Sequence, residues 1–225
     1  MNRLLLTFIS TILTTLLALS AATAAVTIAQ DCEHGNGKSK TESRELAEFD
    51  QLEVSGAFEI KVTAGRSQQT LSITAEENIL PLIATDLTGR KLAIYPRKSI
   101  CTNMAVMVEI NVANLVALVS SGSDNVKIKG LNPDKFSVSM SGSSDVELAG
   151  KARNLEAEIT GAGKLLARDL KTEETGLNIS GSGTADVHAS KKLSVQIIGV
   201  GEVNYYGNPK TIDKQIIGVG NLNQM

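Results

Sequence analysis

Six glycines in the second half of this chain recur at nearly constant spacing. Gly122, Gly142, Gly161, Gly181, Gly199 and Gly218 stand 20, 19, 20, 18 and 19 residues apart. Self-similarity at such an interval marks stacked units, none of which can bury its apolar face alone. The flanking residues say what each unit is. Four and two positions before the glycine stand Leu118/Ser120, Val138/Met140, Ala157/Ile159, Leu177/Ile179, Val195/Ile197 and Lys214/Ile216. Four and six positions after it stand Val126/Ile128, Val146/Leu148, Leu165/Ala167, Ala185/Val187, Val203/Tyr205 and, in a shortened last unit, Leu222. Between these come Lys127, Glu147, Leu166, Asp186, Asn204 and Asn223, mostly polar. A period of two is the mark of a strand with one buried face; a helix would scatter these positions around its circumference.

Each unit therefore reads as strand, glycine corner, strand and a longer polar loop. The same frame occurs once upstream, as Leu52-Glu53-Val54-Ser55-Gly56 followed by Ile60 and Val62. The glycines share the parity of the inward residues, which predicts a core-side corner where a side chain would crowd the neighbouring rung. The fold expected is all-β, a parallel β-helix-like solenoid with rungs of about 19–20 residues. Only 3% of residues are aromatic, against 42% hydrophobic, so narrow aliphatic layers must supply the core. The stretch from Gln69 to Val119 fits the frame less well. It predicts strands at 70–74, 91–95 and 104–112 and an irregular or helical passage at 76–82.

The first residues read as an export address. Arg3 supplies a positive start, Leu4 to Leu19 an apolar run, and Ala22-Thr23-Ala24 small residues suited to cleavage. The domain plan is a signal peptide over 1–24, a flexible polar tether over 25–48 and the β-domain over 49–225, less regular before residue 118. Export places Cys32 and Cys101 in an oxidising compartment, where an intramolecular disulfide is the favoured state. Free thiols and an intermolecular bond are the alternatives. Periplasmic residence is the simplest destination, with the cell surface or secretion as the others.

The motifs Phe49-Asp50, Leu52-Glu53-Val54-Ser55-Gly56, Ser121-Gly122-Ser123, Ser141-Gly142-Ser143, Ser180-Gly181-Ser182-Gly183 and Tyr206-Gly207-Asn208-Pro209 resemble the head GIN domain of auto-transporter adhesins. The resemblance spans Phe49 to the C-terminus. It implies an exported bacterial protein with a right-handed β-helix-like fold, adhesin-like and without assigned catalytic residues. The last two rungs depart from the pattern: Ile198, Val200, Ile217 and Val219 stand where serines are usual.

No residue set points to catalysis. The Gly-x-Gly pairs lack the third glycine of a dinucleotide fingerprint, and no Gly-x-Ser-x-Gly elbow occurs. His34 and His188 lack acid or metal companions in sequence and read as solvated. The turn acids Asp124, Asp145, Asp186 and Glu202 share no continuous register and also read as solvated. Any acid pair would have to come from Glu76, Glu77, Asp86 or Glu109. No cofactor is expected, and a net charge of −2 argues against nucleic acid as partner. Membrane contact is expected only through the export signal.

What remains is an outward ladder. Ser121, Ser141, Thr160 and Ser180 precede their glycines, and Asn178, Gln196 and Gln215 form a second column two positions earlier. Hydroxyl and amide columns suit a carbohydrate or protein surface, though they also stack well for structural reasons alone. The expectation is a non-enzymatic binding module, with self-assembly through open rungs as the alternative and a glycan-active enzyme third.

Overall fold

The computed structural model describes residues 31–225, so the expected signal peptide and the first residues of the expected tether lie outside the described residues. Strands run from β1 to β17 in chain order. The first part of the chain supplies β1 (Glu33–His34), β2 (Ser39–Arg44), β3 (Gln51–Gly56), β4 (Phe58–Ala64), β5 (Thr70–Glu76) and β6 (Ile83–Thr88). After these come β7 (Lys91–Pro96), β8 (Ile100–Cys101), β9 (Val106–Val112), β10 (Ala117–Gly122), β11 (Asn125–Leu131) and β12 (Lys135–Gly142). The longest strands close the chain: β13 (Asp145–Gly161), β14 (Lys164–Gly181), β15 (Thr184–His188), β16 (Lys192–Tyr206) and β17 (Thr211–Gln224).

The expected solenoid is present. One face stacks β7, β3, β10, β12, the second halves of β13 and β14, and the first halves of β16 and β17, all parallel. A second face stacks β9, β4, β11, the first halves of β13 and β14, β15 and the second halves of β16 and β17. The corner glycines stack in register, Gly56 under Gly122 and so on to Gly218. Between the faces lies one continuous aliphatic core, including Leu52, Ile60, Val126, Leu118, Ile159, Leu165 and Ile197, each 1% exposed or less. At about 1.5–3 kcal/mol for each buried aliphatic side chain, this core is the main stabilising term, and among the described residues only Phe49, Phe58, Phe136 and Tyr205 bring rings to it.

Three expectations need correction. The glycines are not on the core side: Gly122, Gly142 and Gly218 are exposed. A positive φ turns the missing side chain along the stack axis, so a Cβ on Gly161 (φ +115°) would lie 2.5 Å from the Gly142 carbonyl oxygen of the preceding rung. The inward corner position is two residues later, at Asp124, Ser144, Gly163, Gly183 and Gly201, all buried. Secondly, part of the expected tether is folded. β1 pairs with β8, and β2 pairs antiparallel with β5. β2 is almost wholly exposed and polar, so main-chain pairing and side-chain anchors hold it where burial cannot. Thirdly, Asp124 is 1% exposed and is no solvated turn acid.

The less regular part matches its expected strands, with β5, β7 and β9 close to the anticipated bounds and a short 3-10 turn at Leu80–Leu82. β5 and β6 run antiparallel to their neighbours β9 and β7. A disulfide joins Cys32 to Cys101 with their Cα atoms 5.6 Å apart, fixing the arm beside β8.

Candidate functional site

Each parallel strand of the first face sends alternate side chains outward, so outward residues line up in columns about 4.8 Å apart from rung to rung. The expected contact ladder forms such columns. Ser121, Ser141, Thr160 and Ser180 stack beside the glycine corner, and Asn178, Gln196 and Gln215 stack one column away. Gln196 Nε2 donates to Gln215 Oε1 at 3.5 Å. These two groups part company in the relief of the surface. The amide column edges a groove of about 460 Å³, whereas the hydroxyl column lies outside its lining.

The groove exists because of a glycine outside the period. Gly176 sits five residues before Gly181 and points outward between Glu156 and Ser194 of the adjacent rungs. Its backbone is unstrained, and the nearest atoms to a Cβ there belong to the end of the flexible Glu156 side chain, at 2.9 Å. Glu156 and Glu174 stand on the rim, a diagonal apart in the pairing of β13 with β14. The Lys192–Asp213 ion pair, at 3.2 Å, closes another side. Asn154 also lines this region, with its Oδ1 buried and without a hydrogen-bond partner among the described residues. No ring lines the groove, so its chemistry is that of amides, hydroxyls, carboxylates and the ammonium groups of Lys192 and Lys214. Sequence reasoning passed over Gly176, although an unphased glycine inside a strand signals a place where something approaches the backbone closely.

Asp124 and Glu76 are held by hydrogen bonds within the fold. Asp124 Oδ1 accepts from the Phe58 amide at 3.1 Å and Oδ2 from Ser120 Oγ at 3.2 Å. Burial raises the Asp124 carboxyl above its ordinary pKa, against these hydrogen bonds. Glu76 accepts from Gly37 N at 2.7 Å and from the Asn103 amide and side chain, both at 3.2 Å. Burial pushes its carboxyl upward, but those donors outweigh it and hold it below the usual carboxylate range. Asp86 accepts from Tyr95, Glu109 faces Lys61, and Glu77 is exposed. Asp186 accepts from Asn204 at 2.9 Å, while Asp145 and Glu202 are exposed. His188, expected in solvent, is half-buried and accepts at Nδ1 from the Thr172 amide at 3.3 Å. Desolvation, then the charge of Lys171, lowers its pKa. Cys32, His34 and Cys101 lie together, but the two sulfurs are bonded to each other and only an imidazole is left to ligate.

Residues 48–209 match the family described as "Putative auto-transporter adhesin, head GIN domain". Several solved structures are similar. A "putative adhesin" from Bacteroides fragilis superposes with a TM-score of 0.70 at 21% identity, covering 85% of this chain and 99% of that one. A "putative lipid binding protein" from Parabacteroides distasonis gives 0.59 at 23% identity, with 87% and 100% covered. A "putative adhesin" from the same organism gives 0.54 at 21%, again with 87% and 100% covered. No curated protein matches the chain.

Proposed function

Because the chain belongs to the head GIN domain family, we propose that it is an exported, non-enzymatic binding module of the cell envelope whose groove over Gly176 takes a neutral carbohydrate chain. The observation that carries this reading is the groove itself: a gap left by Gly176 and bordered by Asn178, Gln196 and Gln215. Amide side chains both donate and accept, which matches the mixed donor and acceptor character of sugar hydroxyls. Without aromatic stacking, single contacts are weak. Adhesion would then rest on many copies engaging one polymer.

Gly176→Gln fills the gap without backbone strain and tests the reading. On an array of neutral and acidic glycans the parent protein should retain a subset of neutral chains, and Gly176→Gln should lose that retention by tenfold or more with an unchanged circular dichroism spectrum. Retention unaffected by Gly176→Gln would remove the groove from the account. Glycan cleavage abolished by Glu156→Gln or Glu174→Gln would make the protein an enzyme instead.

A further inference from the structure

The two ends of the stack are finished differently. At the N-terminal end, β7 is covered by antiparallel β6, and β9 by antiparallel β5 and then β2. The residues of β2 are all polar, and Arg44 reaches the Ile83 carbonyl (2.6 Å) and the Leu80 carbonyl (3.0 Å). Charged, polar edges of this kind resist pairing with another chain. At the other end, β17 pairs with β16 along its whole length and, among the described residues, with nothing on its outer side. Its 14 residues present free main-chain donors and acceptors. Ile216 and Leu222 are only partly covered there, and Ile212 is 41% exposed.

We propose that β17 pairs antiparallel with β17 of a second copy, about a two-fold axis through Gly218, to give a closed tail-to-tail dimer. The bend decides the register. β17 turns at Gly218 (φ +124°), so a second strand can follow both arms only if its own bend lies on the same corner. A two-fold axis through that corner lays the arm 211–217 of one copy on the arm 219–225 of the other. The inward and outward sides then agree. Ile216, Gly220 and Leu222 continue the buried columns of Ile197, Gly201 and Val203, and the pairing sets Ile216 against the second copy's Gly220. Outside, Ile217 meets the second copy's Val219, Gln215 its Asn221, and Asp213 its Asn223. No like charges are opposed. Ile198, Val200, Ile217 and Val219, between 46% and 71% exposed, become one strip running across both copies.

Lys214 is the weak point. It continues the inward column of Val195 and falls against the second copy's Leu222, so it limits the strength of the joint. The N-terminal edge offers no matching surface, which stops growth at two. This inference does not depend on what the groove binds.

Sedimentation equilibrium of the purified protein should show a reversible monomer–dimer mixture. The register is read with two outward double variants. Gln215→Lys with Asn221→Lys opposes like charges twice across the axis, whereas Gln215→Glu with Asn221→Lys opposes unlike charges twice. The second should dimerise more tightly than the first by tenfold or more, and Lys214→Leu should tighten the parent dimer. A parent protein that stays monomeric at every concentration, equal constants for the two double variants, or assemblies growing beyond two copies would each overturn the proposal. Flotation of a purely monomeric protein with lipid vesicles would assign the apolar corner to membrane contact instead.

Discussion

Two glycines twenty residues or fewer apart can have opposite tolerances. Gly161 holds a left-handed φ and has the Gly142 carbonyl oxygen where a Cβ would sit, while Gly176 has ordinary backbone and a flexible neighbour. Gly161→Ala should therefore cost about 2 kcal/mol or more, the scale of a strained backbone position, in guanidinium unfolding. Gly176→Ala should stay within about 0.5 kcal/mol. Asp124 carries the pH dependence at this scale. Its folded pKa is raised, so the folded state keeps a proton that the unfolded chain releases. Its contribution is complete below the unfolded value of about 3.9 and is lost as pH rises through the folded one. Asp124→Asn keeps an acceptor for the Phe58 amide and removes that loss. Stability measured from pH 3 to 8 should fall more steeply for the parent than for the variant, and the variant should equal or exceed the parent at neutral pH.

Among elements, β1 and β2 depend on anchors that the rest of the stack does not need. The disulfide closes a separation of 69 residues, worth up to about 4 kcal/mol in the loop-entropy account. Cys32→Ser with Cys101→Ser should lower the unfolding free energy by up to that amount, measured against the oxidised parent. Glu76 ties the same arm through Gly37 and Asn103. Its folded pKa is lowered, so this support is present above the unfolded value and disappears as pH falls through the folded one. Limited proteolysis should cut between residues 31 and 48 sooner as the pH drops below about 4, and Glu76→Ala should expose the same segment at neutral pH. Equal protease resistance in parent and variant would separate Glu76 from the arm.

For the whole molecule, a stack whose units touch only their neighbours should open from its less protected end. β17 is exposed along nearly all its length, while β13 and β14 are buried on alternate residues between neighbours on both sides. Hydrogen exchange at dilution should thus be fastest in β17 and slowest in β13 and β14. The covered, disulfide-bearing end should lie between them. Raising the protein concentration should slow exchange in β17 selectively if the tail-to-tail pairing forms.

The solenoid was legible in the chain because its two determinants are local: alternation sets which residues face inward, and the glycine interval sets the length of a rung. Parity puts the glycines at the corner of the core, because it cannot register that a positive φ swings the side-chain direction onto the preceding rung. In sequence the polar arm reads as a tether because an edge strand such as Ser39–Arg44 is held by main-chain pairing, which leaves no apolar mark. Asp124 reads as solvated in sequence because its partners Phe58 and Ser144 are distant along the chain and are brought near only by stacking. The amide columns and the groove both follow from the period, and Gly176 was the signal for the second. Glu156, Gly176 and Ser194 stand five residues before Gly161, Gly181 and Gly199, so stacking sets them side by side, and what only the tertiary structure decided is how far the neighbouring side chains leave the gap over Gly176 open.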